Sequence, residues 1–219
     1  MSSLADLTVI STMNLSKQTE LVLAQYHQRM EEEAQLMQSL PLEEGMRRRD
    51  EFLLSVGEET AMLLYSLVKA AKPRIILEIG TSYGYSTLWL AEAANTYDGH
   101  VISLEMDAAK ADYARQKIRE AGLADRVEFV VGDALDYLAK TAQTFDFVLV
   151  DLWKELYTPS FDLFFPKLQA GAYVISDNML FPPHSKPEMD VYRKHLADTQ
   201  AFDTVLLPIG SGIEISKRR

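Results

Sequence analysis

The sequence predicts an α/β fold: a mostly parallel sheet with helices on both faces, an antiparallel strand at its C-terminal edge and a helical extension at its N-terminus. Two observations carry this. From Arg74 onward short β-rich runs alternate with helical segments, the pattern of parallel strands joined by crossover helices. Before Arg74 the chain shows only helical periodicity.

Leu23, Tyr26, Met30, Ala34 and Met37 recur at three- and four-residue spacing and Pro41 ends the run, which predicts an amphipathic helix from Ser16 to Leu40. A second helical pattern covers Glu58 to Ala71. The two precede the sheet and suit a cap or a contact between copies of the chain, so a homodimer is expected. Residues 1–55 are taken as the helical extension and 56–219 as the sheet-bearing domain, the whole forming one structural unit.

Strands are predicted over Ile75–Ile79, Val101–Leu104, Val127–Val131, Phe147–Val150 and Ala172–Ser176. Helices fall between them at Tyr85–Asn95, Ala108–Ala121, Ala134–Lys140 and Pro159–Lys167. After one more helix, Phe202–Leu207 and Gly212–Ser216 read as an antiparallel pair at the sheet's edge.

Composition bounds the function classes. A chain of 219 residues, 47% hydrophobic and 25% charged, suffices for one well-buried domain and is neither disordered nor membrane-like. The lack of cysteine excludes disulfides, thiolate metal sites and cysteine nucleophiles, so a metal would sit on oxygen or histidine. Met1-Ser-Ser-Leu-Ala-Asp6 has no basic leader character and no apolar run nears the roughly 20 residues that cross a bilayer, so a cytoplasmic protein without a membrane partner is expected. A net charge of -10 opposes non-specific binding to nucleic acid, and the triplet Arg47-Arg48-Arg49 reads as a solvated helix face.

Ligands of open α/β sheets bind beyond the carboxyl ends of the strands, where strand order reverses, so binding residues are expected at those ends. After the first strand comes Glu78-Ile-Gly80-Thr-Ser82-Tyr-Gly84-Tyr-Ser86, leading into a helix. Gly80 and Gly84 allow a sharp turn close to a ligand, and the helix start adds unpaired N–H donors; tight packing is the alternative role of such a pair. A dinucleotide site wants G-x-G-x-x-G to seat a pyrophosphate, but Glu78 replaces the first glycine, which argues against a nicotinamide enzyme.

The second strand ends in Glu105-Met106, where an acid can accept both hydroxyls of a ribose. Asp133, in Gly132-Asp133-Ala134, suits either a ligand contact or a helix N-cap. Asp151 ends the fourth strand, and Asp177-Asn178 follows the fifth, a pair equally at home in a turn. Together these three offer hard oxygen donors of the kind that hold Mg²⁺, which takes the rest of its shell from water and substrate. Lys154 stands three residues after Asp151.

The stretch from about Val56 to Asn178, and less clearly to Ile215, resembles the metal-dependent catechol and caffeoyl-CoA O-methyltransferases. It carries, in order, E-x-G-x-x-x-G-Y-S, Glu105-Met106, the D-x-x-K-x-x-Y string from Asp151 to Tyr157, and Asp177-Asn178. The resemblance implies a class I methyltransferase (Rossmann-like) three-layer sandwich that transfers a methyl group from S-adenosylmethionine to a hydroxylated aromatic small molecule.

It puts Val56, Gly80, Ser82, Ser86, Glu105, Met106 and Ala134 around the cofactor, with Ser86 on the carboxylate side and Glu105 on the ribose. Glu78 would face the aminoacyl part, and Asp133 and Asp151 are counted with the cofactor site. Asp151, Asp177 and Asn178 are assigned to a divalent cation, Mg²⁺, and Lys154 to proton abstraction. Trp153 matches the catechol enzymes, and Glu214 resembles their substrate-binding acid, with a surface position on an edge strand as the alternative. Two neighbouring effects oppose each other at Lys154: burial favours its neutral form and Asp151 its charged form.

Three other readings compete. Some bacterial members of this family methylate a hydroxyuridine of tRNA, which here would require a basic rim of Arg47 to Arg49 with Lys186, Arg193 and Lys194. The others are the nicotinamide oxidoreductase and a non-catalytic binding module using the same pocket.

Overall fold

The computed structural model describes residues 13–219, so Met1 to Asp6 and the first part of the expected extension lie outside the described residues. Five parallel strands, β1 (Ile75–Ile79), β2 (His100–Glu105), β3 (Val127–Val131), β4 (Phe145–Val150) and β5 (Leu168–Ser176), are joined by β6 (Phe202–Leu207) and β7 (Ile213–Arg218). The order is β3-β2-β1-β4-β5-β7-β6, with β7 antiparallel to both of its neighbours. The expected antiparallel pair is there, but the last strand is inserted between β5 and β6, so β6 forms the edge.

The helices are α1 (Lys17–Ser39), α2 (Leu42–Arg47), α3 (Glu58–Ala71), α4 (Tyr85–Asn95), α5 (Ala108–Glu120), α6 (Ala134–Lys140), α7 (Tyr157–Phe164) and α8 (Lys186–Asp198). Successive strand residues point to opposite faces, and both faces are covered, so the central strands are continuous apolar runs. Ile76 and Phe147 join one core with α1, α3 and α4, including Tyr26, Leu64 and Leu88. Leu77 and Val148 face the other core, with Phe161 and Phe164 of α7 and Tyr192 of α8. These are the three expected layers.

α1 is buried only over its first half. Val22, Leu23 and Tyr26 are in the core, whereas Ala34 is exposed, contrary to an apolar stripe running the whole length. Docking is fixed by Glu92 of α4, a buried acid that accepts from the Ser16 amide at 2.5 Å and the Thr19 hydroxyl at 2.9 Å. Sequence periodicity missed α2, a single short turn of helix between Pro41 and Phe52. β5 starts at Leu168, which pairs with Phe145 ahead of a register shift, rather than at Ala172; the sequence hides this because Gln169 to Gly171 are exposed and carry no strand pattern.

Between β1 and β4 the strand order reverses, because the chain first builds outward to β2 and β3 and then crosses back. That is where a crevice opens in this architecture. No helix among the described residues is long and apolar enough to cross a membrane.

Candidate active site

At the reversal, the β1–α4 turn and the end of β4 are in close contact. Gly80 has φ +104, and a Cβ there would fall 1.8 Å from the Asp151 carbonyl oxygen, so no other residue fits without displacing β4. Gly84, at φ +87, caps α4 with its Cα face against Ala114 of α5. Tight packing and turn geometry both apply to this glycine pair.

A cavity of about 520 Å³ opens beyond these strand ends, within the size range of small-molecule sites. Gly80, Ser82, Glu105, Met106, Asp133 and Ala134 line one half of it. The Glu105 carboxylate is held by the Ser82 amide at 2.7 Å and the Asp107 amide at 2.9 Å, which fixes it at the end of β2. Ser82 itself is left-handed, φ +48, and its buried hydroxyl has no hydrogen-bond partner among the described residues. Met106 is 65% exposed beside them, an apolar surface for a flat ring. Asp133 caps α6 by accepting from the Leu135 and Asp136 amides, so the N-cap reading holds for a residue that also borders the cavity.

Asp151, Trp153, Lys154 and Asn178 line the other half. The Lys154 ammonium donates to the Asn178 side-chain oxygen at 2.6 Å, to the Tyr157 hydroxyl at 2.6 Å and to the Leu152 carbonyl at 3.2 Å. Tyr157, fully buried, donates in turn to the Asp177 carbonyl at 2.9 Å. Asn178 holds φ +54, a conformation asparagine tolerates better than most residues and one that turns its amide back toward Lys154. Trp153 is 53% exposed at the rim.

Burial pushes the Lys154 pKa below its ordinary value, and this outweighs the opposing pull of Asp151 and Asp177. The contest left open by the sequence therefore goes to desolvation. Burial raises the Asp151 carboxyl, against the attraction of Lys154. Burial, then repulsion from Asp151, pushes Asp177 up to about 7. Asp177 also keeps one buried carboxylate oxygen without a hydrogen-bond partner among the described residues. Two crowded carboxylates with an unused oxygen, next to an amide oxygen, suit a hard divalent cation. Among the described residues no cluster of three or more His, Cys, Asp or Glu side chains forms a ready-made metal cage.

Five of the expected site residues do not line the cavity. Val56 packs into the core next to α3, while its neighbours Leu54 and Ser55 form the wall. Glu78 is 0% exposed and faces inward, accepting from the hydroxyls of Ser86 at 2.6 Å, Thr87 at 2.5 Å and Ser103 at 2.6 Å. Burial pushes this acid up to about 7 against those three donors. It ties α4 to β1 and β2, with the Ser86 hydroxyl turned to it. Asp177, 1% exposed, lies just behind Asn178.

Glu214 is neither a surface residue nor a cavity wall. At 1% exposure on β7 it forms an ion pair with Arg193 of α8, because β7 is an interior strand rather than the sheet's edge. The turn before it, around Ser211, does reach the cavity and binds the 178–181 loop: the Leu180 and Phe181 amides both donate to the Ser211 carbonyl at 3.0 Å. Phe181, cis-Pro182 and His184 complete that wall. The basic rim that tRNA would need is largely neutralised, with Arg48, Lys186, Arg193 and Lys194 paired to Glu51, Asp190, Glu214 and Asp198. Arg49 and Asp50, also on the wall, carried no sequence signal beyond the arginine triplet.

A seven-stranded sheet with an inserted antiparallel strand and a glycine turn at its reversal point is the class I methyltransferase fold. Residues 27–219 match the model of the O-methyltransferase family, and the chain belongs to that family. A catechol O-methyltransferase of Mycobacterium tuberculosis (strain ATCC 25618 / H37Rv) is 38% identical over 128 residues, 58% of this chain and 58% of that protein. Catechol O-methyltransferase B of Danio rerio is 34% identical over 142 residues, 62% of this chain and 53% of the relative. The chain thus spans between 53% and 58% of the length of these two curated relatives. The O-methyltransferase from Bacillus cereus in complex with SAH has the same fold, with a TM-score of 0.74 at 26% identity, covering 97% of this chain and 94% of that one.

Proposed function

We propose that this chain transfers a methyl group from S-adenosylmethionine to one hydroxyl of a catechol-like, vicinal-diol aromatic molecule, with a divalent cation, Mg²⁺, orienting the acceptor and Lys154 taking its proton. The observation that carries this reading is the meeting of two halves at one cavity. The Gly80 turn, Ser82, Glu105 and Met106 suit a nucleoside with an aminoacyl tail, and Lys154 stands opposite, beside Asp151, Asp177 and Asn178. Family membership and the SAH bound to the Bacillus cereus neighbour support the choice of methyl donor.

In this reading Glu105 accepts the ribose hydroxyls, Met106 covers the base, and the Gly80 turn lets the donor approach the sheet. The sulfonium methyl is already electrophilic, so the chain's task is to align an oxygen nucleophile with it and exclude water. Asp151, Asp177 and Asn178 would hold a divalent cation, which would supply the positive charge that acidifies a hydroxyl and orients a diol. Lys154, drawn toward neutrality by burial, accepts the hydroxyl proton at Nζ. Asn178, Tyr157 and Leu152 surround that nitrogen, and two of the three acceptors suffice to hold its neutral form, which leaves the lone pair for the incoming proton. Trp153 supplies an apolar plane for the acceptor ring. The homodimer expected from the helical extension belongs with this proposal and is checked by light scattering.

The test is turnover of catechols, flavonoids, caffeoyl thioesters and hydroxyuridine tRNA with S-adenosylmethionine, each with Mg²⁺ and with a chelator. Methylation of small diols that stops on chelation and returns with Mg²⁺ is expected. Activity on tRNA alone, or turnover indifferent to chelation, sinks the corresponding part. Calorimetric binding of NAD but not S-adenosylhomocysteine would reject the methyl donor.

A further inference from the structure

We propose that Arg49 selects the acceptor, favouring a catechol-like diol that carries a carboxylate over neutral or cationic diols. This rests on the methyl-transfer reading of the same site and adds a charge requirement to it.

The three arginines at the end of α2 have different fates. Arg47 is exposed, Arg48 pairs with Glu51, and Arg49 is half-buried on the cavity wall. Among the described residues no hydrogen bond or ion pair engages the Arg49 guanidinium. It lines the same cavity as Trp153, Lys154 and Asn178, so a ligand held there is within reach of its charge. A guanidinium is always charged and presents a planar fork of donors that matches a carboxylate, so leaving it unengaged beside a ligand cavity favours an anionic ligand.

The segment that presents Arg49 is held in place. Leu53 donates its amide to Glu33 at 2.6 Å, and Glu33 pairs with Arg29 at 2.6 Å, on α1. The Glu51 carbonyl accepts from the Tyr83 hydroxyl at 3.1 Å and from Arg29 at 3.4 Å. Arg29 lies 3.8 Å over the Tyr83 ring, in the same turn that carries Gly80 and Ser82. A charge fixed to a rigid support discriminates better than one on a mobile loop. Asp50, Glu155 and Glu188 share the wall, but all three are exposed at its mouth, where water and salt screen them, whereas Arg49 is partly withdrawn from solvent.

The experiment compares three catechols of matched size whose charge is insulated from the ring: 3,4-dihydroxyphenylacetate, 3,4-dihydroxyphenylethanol and dopamine. With Mg²⁺ and saturating S-adenosylmethionine, kcat/KM is expected to rank anion above neutral above cation. Arg49→Gln should reduce the anion-to-neutral ratio about tenfold, the usual scale of losing one charge-assisted contact. Arg49→Lys should retain part of the preference. Equal turnover of the three by the unaltered chain, or the same ratio in Arg49→Gln, overturns the proposal. Turnover of none of the three overturns the diol reading beneath it, an outcome distinct from a lost preference.

Discussion

Lys154 and Asn178, 24 positions apart, meet at 2.6 Å at the ends of adjacent strands, the ammonium donating to an amide oxygen that is also a candidate metal donor. In the proposed mechanism, proton acceptor and cation site would therefore share a side chain, and disturbing either should register in the other.

The first expected consequence concerns Lys154→Ala. Loss of a general base lowers the chemical rate by roughly 10²–10⁴. Binding of S-adenosylhomocysteine should change little, since the proposed mechanism puts Lys154 on the acceptor half. Single-turnover kinetics with rapid quench measure this, and an unaltered single-turnover rate removes Lys154 from the mechanism.

Tyr157→Phe removes a fully buried hydroxyl that links Lys154 to the Asp177 carbonyl. The vacated partners lose a hydrogen bond each, at a cost of about 1–3 kcal/mol in stability. Because the lysine also loses one of three anchors, the alkaline and acid limbs of the pH–rate profile should move. Thermal melting together with that profile checks both, and a melting drop with an identical profile would reduce Tyr157 to packing.

Glu78 makes stability depend on pH with a definite sign. Its folded pKa of about 7 exceeds the ordinary 4.5, so between these values the folded chain holds a proton that the unfolded chain has released. Stability from this group is complete below about 4.5 and falls as pH rises toward 7, by on the order of 3 kcal/mol. Urea unfolding at pH 5 and pH 8 should show a smaller difference in Glu78→Gln than in the unaltered chain. An equal difference in both proteins contradicts the assignment.

Glu214→Gln tests whether that acid serves the fold. Glu214 is buried but Arg193 is 41% exposed, so water takes up part of the lost contact and the substitution should cost about 1–3 kcal/mol, whereas Glu214→Gln combined with Arg193→Met should recover part of the loss. A double-mutant cycle on urea midpoints gives the coupling, and additivity of the two substitutions would mean the pair carries no energy.

Much of the fold is legible in the order of residues alone. β1, β3, α3, α4, α6 and β6 keep the bounds that periodicity predicts, because each is a periodic run closed by a local stop such as Gly80 or Asp133. Ten of the expected site residues share one cavity, since the end of a parallel strand is defined locally and the fold does the gathering. What escapes a sequence reading depends on partners distant in the chain. Glu214 looks free until Arg193 is brought across from α8, and Arg49 looks like its two neighbours until α1 clamps its segment over the crevice. The inward turn of Glu78 is likewise hidden, because three hydroxyls from α4 and β2 decide it.

Among the described residues β6 reaches the rest of the sheet only through β7, and the turn between them holds one wall of the cavity by the Met179, Leu180 and Phe181 amides. β7 is therefore a keystone: the outer edge of the sheet and one face of the crevice open or close as a single unit. Amide exchange at Leu180 and Phe181 should keep pace with that of the β6 amides bonded to β7.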